Sequence, residues 1–280
     1  MTADTDPVTL VTGAAGGIGA ATARAFADEG WTVYATDVET PLPTELQECC
    51  RCRELDVTSE TQCRAVVDDV VAATGRLDCL VNNAGYALSG PLEDVGVDAG
   101  RALFDVLAHG PHRLSRLALP ALRERGGRIV NVSSVLARRA YPGLGAYSGG
   151  KAALSAMSDA LRMELADSPV AVALVEPAWI ATDFADSARE RLAEDRSPGY
   201  ESVYASLEDG WVLDGGPLAS SPEAVASTVL EAATDDDPAA HYPVGLFAEF
   251  VRWTEWLPPQ VADPVLRWFG RASVQLEGWT

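Results

Sequence analysis

Six short runs, most of them rich in valine, isoleucine and leucine, recur along the chain: Val8–Thr12, Thr32–Thr36, Arg51–Leu55, Cys79–Asn82, Arg128–Val132 and Val170–Val175. Runs of this length that lack polar alternation predict parallel strands buried on both faces. A weaker seventh run lies near Tyr242–Val244. Helical patterns fill the gaps. Gly17–Glu29 is alanine-rich and stops at Gly30, Thr58–Thr74 opens on Ser/Thr and stops at Gly75, and Tyr147–Ala166 ends before Pro169. Ala99–Arg125 carries one apolar stripe, and Pro120 predicts a kink or split within it. Strand–helix alternation with right-handed crossovers predicts an α/β fold, a doubly wound parallel sheet flanked by helices, as a single domain over 1–280. Two stretches break the rhythm. Residues 183–217 are polar with two Trp/Tyr-bearing helical patches, which predicts a helical lid over the carboxyl edge of the sheet. The tail, 247–280, is rich in Trp, Leu and Pro and is expected to pack as helix on the domain.

With 48% hydrophobic residues the chain has material for a core, which excludes disorder throughout. No apolar run reaches the ~18 residues a membrane span needs. The acidic start, Met1–Pro7, lacks a leader pattern, so a cytoplasmic location is expected. Acidic residues outnumber basic ones 41 to 21, a net charge of -20, which disfavours nucleic acid and anionic membrane as partners. Lys151 is the only lysine, and every other basic side chain is arginine. Two readings fit this balance: a halophilic host with a salty cytoplasm, or a GC-rich genome. The five cysteines are odd in number, which predicts reduced thiols. Cys49, Cys50 and Cys52 lack zinc-type spacing and His109, His112 and His241 are not placed to complete a site, so no metal is expected.

Thr12-Gly13-Ala14-Ala15-Gly16-Gly17-Ile18-Gly19 follows the first strand and opens the first helix. Glycines there permit a tight turn and close backbone approach to a diphosphate, and the helix start supplies N–H groups and positive dipole. Asp37 stands at the end of the second strand, where a carboxylate accepts from both ribose hydroxyls and repels a 2′-phosphate. No basic residue occupies Ala14, Ala15 or Val38, so NAD is favoured over NADP as cofactor. Asp56-Val57 closes the third strand, placing Asp56 either against an adenine amino group or as cap of the next helix. Asn82-Asn83-Ala84-Gly85 closes the fourth, as a small-residue surface for the cofactor or as a plain turn.

Tyr147 and Lys151 are four apart and share one helix face. A free phenol titrates near ~10, too high for proton transfer at neutral pH, and a neighbouring ammonium lowers it. A chain that uses arginine elsewhere spends its one lysine here, which points to a specific role. Ser134 ends the fifth strand, where its hydroxyl faces the crevice at the carboxyl edge, and Ser133 points the other way.

Taken together, TGxxxGIG at 12–19, NNAG at 82–85, Ser134 and YxxxK at 147–151 resemble the short-chain dehydrogenase/reductase family. The resemblance implies a Rossmann-type sheet of seven strands and an NAD-dependent enzyme that moves hydride between nicotinamide and a secondary alcohol or ketone. It implies Tyr147 as acid/base, Lys151 on the nicotinamide ribose and Ser134 on the substrate oxygen. Cofactor contacts then fall to Thr12, Gly13, Gly17, Ile18, Gly19, Asp37, Asp56, Val57, Asn83, Ala84 and Gly85. The segment Pro177–Thr182 resembles the family's PGxxxT loop, which implies further contacts from Pro177, Ile180 and Thr182, with Ala178 in place of the usual glycine. Leu107 stands where the family has an asparagine that supports the lysine through water, and His109 is a nearby stand-in. Leu136, Tyr141 and Trp179 are expected to bind substrate, and Leu88, Phe184, Tyr204 and Trp211 to add to a bulky apolar site. The run from Asn82 to Asp94 is similar to the 17β-hydroxysteroid and retinol dehydrogenase branch. The family commonly forms homodimers or homotetramers. The rival function is a non-catalytic NAD(H) sensor on the same fold, with Leu107 as its support.

Overall fold

The computed structural model describes residues 6–193, 195–208, 212–254 and 256–266. Seven strands form one sheet: β1 (Val8–Thr12), β2 (Thr32–Asp37), β3 (Arg51–Glu54), β4 (Cys79–Asn82), β5 (Arg128–Val132), β6 (Ala171–Pro177) and β7 (His241–Val244). Their order is β3-β2-β1-β4-β5-β6-β7 and every pairing is parallel. The direction of winding reverses between β1 and β4, and this leaves a crevice beyond the carboxyl ends of the strands.

Both faces of the inner strands are covered, which is why β1, β4, β5 and β6 run largely apolar, whereas β3, Arg-Cys-Arg-Glu, is an exposed edge strand and corrects the expectation that this run is buried on both faces. On one face α1 (Gly17–Asp28), α2 (Thr44–Cys49) and α9 (Pro222–Thr234) bury Phe26, Leu46 and Val229 against Val11, Val33 and Val130. On the other, α3 (Glu60–Thr74), α5 (Gly110–Arg125) and α6 (Gly145–Glu164) bury Val70, Leu114 and Leu161 against Leu10, Leu80 and Ile129. Ser59 rather than Asp56 caps α3, its Oγ accepting from the Gln62 N–H at 3.3 Å. Asp56 instead holds the preceding turn, accepting from the Thr58 N–H and hydroxyl.

The long helical stretch breaks at a different point from the one its proline predicts. α4 (Val97–Phe104) passes into Asp105–His109, which is wound in the wider π register, and then into α5. Pro120 lies inside an unbroken α5. It is exposed, so the carbonyl it leaves without an N–H partner faces water. The π turn is the kind of local insertion found at functional sites.

Between β6 and α9, α7 (Phe184–Glu190) borders the crevice and α8 (Glu201–Glu208) packs behind it on the core beside Gly143. They are tied down by the 89–95 loop. Asp94 accepts from the Tyr204 hydroxyl at 2.6 Å and from the Ser197 N–H at 3.1 Å, and Ser89 bridges to Leu192. The tail contributes α10 (Leu246–Thr254) and helical residues at 259–266, and the expectation for its remainder falls outside the described residues.

One buried ion pair links the loop after β5 to β6. Arg138 donates from Nε and a terminal nitrogen to Glu176 at 2.8 and 3.0 Å, and the Glu176 side chain is only 2% exposed. Burial alone would raise the Glu176 carboxyl, but hydrogen bonds from His241 and Arg138 outweigh it and hold the group below its usual value. Such a carboxylate stabilises the fold above its unfolded pKa, and that contribution fades as pH falls through the folded value. Arg138→Met leaves the buried carboxylate with His241 as its remaining charged partner, and a loss of up to about 3–5 kcal/mol is expected at pH 7. The gap in Tm between wild type and variant should narrow on acidification below pH ~4. A gap that is constant with pH would exclude Glu176 as its source.

Candidate active site

The glycine loop is held in place by the end of β4. The Thr12 hydroxyl accepts from the N–H groups of Asn83 and Ala84 at 3.0 and 3.1 Å. In return the Asn83 amide donates to the carbonyls of Thr12 and Gly13, both at 3.0 Å. Gly13 has φ +71°, and a Cβ there would sit 2.7 Å from the Ala84 Cα. At Gly19 a Cβ would lie 1.9 Å from the Gly13 carbonyl oxygen. Thr12 and Gly19 therefore shape the loop without bordering the crevice, whereas Gly13, Gly17 and Ile18 border it directly. Helix α1 starts with no side chain capping its first N–H groups, which leaves them for an anion.

These groups open onto a crevice of about 590 Å³, inside the ~300–1,000 Å³ range of ligand sites. Asp37, Asp56, Val57, Asn83, Ala84, Gly85, Pro177, Ile180 and Thr182 all line it. The Asp37 carboxylate accepts from the Ala15 N–H at 2.8 Å and the Glu39 N–H at 3.0 Å, which fixes it at the crevice edge with lone pairs to spare. Backbone cradle, uncapped helix start and fixed carboxylate fit a dinucleotide along its whole length.

At the other end, α6 brings Tyr147 and Lys151 to the wall, where they are 8% and 5% exposed. Lys151 Nζ donates to the Val132 carbonyl at 2.7 Å and lies 6.0 Å from the centre of the Tyr147 ring. Ser134 accepts from the Leu136 N–H at 3.2 Å and turns its hydroxyl to the Tyr147 phenol. Ser133 points away, to Ser155. The expectation that the ammonium depresses the phenol is corrected by this geometry. Burial dominates and pushes Tyr147 up to about 12, with only the Ser134 hydrogen bond opposing it. Burial likewise pushes Lys151 down to about 8. Neither group's charge contributes to the other's shift, and desolvation sets both.

Leu107 sits in the π turn and is fully buried, with its methyls against Gly85 and Gly150. It closes the space beside Lys151 with hydrocarbon. His109 does not take over that position. It is exposed, on the outer surface near Gly100 and Phe104.

Leu136, Tyr141 and Trp179 line the crevice as expected of the substrate side, together with Phe184. Phe184 meets the Tyr147 ring edge-on at 5.6 Å. Trp179 is fixed by its indole N–H on the Val212 carbonyl and by stacking on Phe247, centroids 4.3 Å apart. Leu88 and Tyr204 do not line the crevice: Leu88 packs into the core beneath the covering helices and Tyr204 anchors them. Trp211 lies outside the described residues. Missed from sequence were Leu144, Leu213 and Phe247, apolar residues that look like ordinary core, and Tyr86 and Arg191 at the rim. Only Tyr86 carried a signal, by directly following NNAG.

Comparison with known proteins agrees with this arrangement. The short chain dehydrogenase family model matches residues 7–193. The chain is 32% identical to the uncharacterized oxidoreductase YbbO of Escherichia coli K12, over 92% of this chain and 93% of that protein. A short-chain dehydrogenase structure from Streptomyces avermitilis superposes with a TM-score of 0.78 at 29% identity, covering 95% of this chain and 96% of that one. A short-chain dehydrogenase of Burkholderia cenocepacia, solved in complex with NADP, gives 0.75 at 27% identity, covering 93% and 97%. With sheet order, glycine cradle and matched sequence in agreement, the chain belongs to the short-chain dehydrogenase family of oxidoreductases.

Proposed function

We propose that the protein is an NAD(H)-dependent alcohol dehydrogenase or ketoreductase acting on a bulky apolar secondary alcohol or ketone. The observation that carries this reading is the convergence of the Tyr147 and Ser134 hydroxyls in a crevice walled by Leu136, Tyr141, Trp179 and Phe184. Bound nicotinamide supplies the two-electron acceptor or donor. Ser134 holds the substrate oxygen, and Tyr147 takes the alcohol proton in oxidation or returns it in reduction. Lys151, anchored on Val132, holds the nicotinamide ribose and places positive charge near the phenol. The segment 183–217 serves as the substrate lid, with α7 bordering the crevice through Phe184 and Ser187.

The preference for NAD rests on Asp37, joined at the crevice edge by Glu39. Two carboxylates repel a 2′-phosphate, so NADH is expected to bind at least about tenfold more tightly than NADPH, a difference of about 1.4 kcal/mol. Fluorescence titration measures both, and equal affinities would remove NAD from the proposal. The activity itself is tested by following NADH formation with a panel of secondary alcohols, at low and molar salt. Activity and Tm that rise with salt would support a halophilic cytoplasm, and sedimentation tests the homodimer or homotetramer carried over from the family. A second reading, a non-catalytic NAD(H) sensor, is favoured by Leu107 filling the space beside Lys151. It predicts NADH binding without turnover of any alcohol or ketone.

A further inference from the structure

One rim of the crevice differs from the rest of the substrate side. Asp183, Ser187 and Arg191, four residues apart, border it as a polar stripe along α7, while Ala185 and Ala188 turn into the core. Arg191 lies over the Tyr86 ring, 5.1 Å from its centre. Neighbouring arginines are tied to acids: Arg189 to Asp186 and Asp214, and Arg196 to Glu208. Arg191 reaches only the Ser187 carbonyl, at 3.5 Å, and among the described residues it forms no ion pair, in a chain with 41 acidic side chains. A guanidinium stacked on an aromatic face keeps its N–H edge free for two-point binding of a carboxylate or phosphate.

We propose that Arg191 is a specificity-determining residue that holds an acid group of the substrate, so that the substrate is an apolar hydroxy or keto acid. This rests on the reading of Tyr147 and Ser134 as the reacting pair. Phe184, in contact with Tyr147, and Arg191 are seven residues apart, which is about 10 Å of helix and separates the guanidinium's end of the stripe from the reacting pair. The other anion due in the crevice is the dinucleotide's diphosphate. Thr182, at the opposite end of the stripe, already meets the glycine loop at Gly17, 3.1 Å from where a Cβ would stand. That assigns the far end, beside Tyr86, to the substrate. A net charge of -20 repels acids in general, so a guanidinium at the rim with no acidic partner among the described residues favours those acids that reach it.

The test compares medium-chain hydroxy acids with their methyl esters in wild type, Arg191→Met and Arg191→Lys. Wild type should favour the acid by at least about tenfold in kcat/KM, through KM. Arg191→Met should erase the preference, Arg191→Lys should keep part of it, and NADH affinity should not change. No acid preference in wild type, or one that survives Arg191→Met, overturns the proposal. Equal losses on acid and ester with weakened NADH binding also overturn it, because they place the guanidinium on the cofactor's diphosphate. Binding of the matching keto acids and esters to the NADH complex, read by nicotinamide fluorescence, gives the same ratio without turnover. A protein that binds acids through Arg191 yet never turns over would sink the redox reading alone.

Discussion

Tyr147→Phe is expected to lower kcat by about 100- to 10,000-fold and to leave NADH affinity and Tm nearly unchanged. The ring is 8% exposed and packs edge-on against Phe184, and phenylalanine keeps both contacts. What disappears is one oxygen, the one that faces Ser134. With burial holding the phenol up at about 12, oxidation, which needs the phenolate, is expected to rise with pH. Oxidation should therefore depend more steeply on pH than NADH binding does. Steady-state rates with the best alcohol, fluorescence titration of NADH and a melting curve together decide the matter. Turnover retained within a few-fold would transfer the acid/base role to another group.

Gly19→Ala should abolish dinucleotide binding, with NADH affinity reduced by more than about a hundredfold. Helix propensity alone gives the opposite sign, since alanine exceeds glycine by ~1 kcal/mol inside a helix. Geometry overrides it. The new Cβ falls 1.9 Å from the Gly13 carbonyl oxygen and 2.6 Å from the Asn83 amide nitrogen. Helix α1 must then move off the loop, and the Asn83 clamp on Thr12 and Gly13 is disturbed with it. NADH titration and Tm read both effects. A variant that binds NADH as well as wild type would show that close packing of the first helix turn on the loop is dispensable.

The parts of this molecule that could be read in advance share a physical basis. Strands buried on both faces are mostly apolar, and a loop packed tightly against neighbouring chain needs glycine, so β1, β4, β5 and the 12–19 loop declared themselves. Lys151 stood out because nothing else in the chain is lysine. The misread features depend on tertiary surroundings. Pro120 does not split α5, and its face of the helix meets solvent; the π turn at 105–109 has no comparable local mark. The Tyr147–Lys151 spacing was legible, but the sign of the phenol's shift was not, since burial is set by residues far along the chain. Asp94 and Tyr204 are 110 positions apart, and only the fold reveals that together they pin α8 to the 89–95 loop. Phe247 entered the substrate wall because Trp179 was there to stack on it.

The burial of Lys151 has a practical corollary for how the protein meets amine-directed chemistry. Every other basic side chain is a guanidinium, which acyl donors and reducing sugars attack far less readily than an amine. Its lone side-chain amine lies 5% exposed in the crevice wall, with its pKa brought down to about 8. Acetylation, glycation or amine coupling to a resin thus finds no side-chain target on the outer surface. Where such a reagent does get in, a single adduct would block the crevice, and a dinucleotide bound there is expected to shield the amine from it.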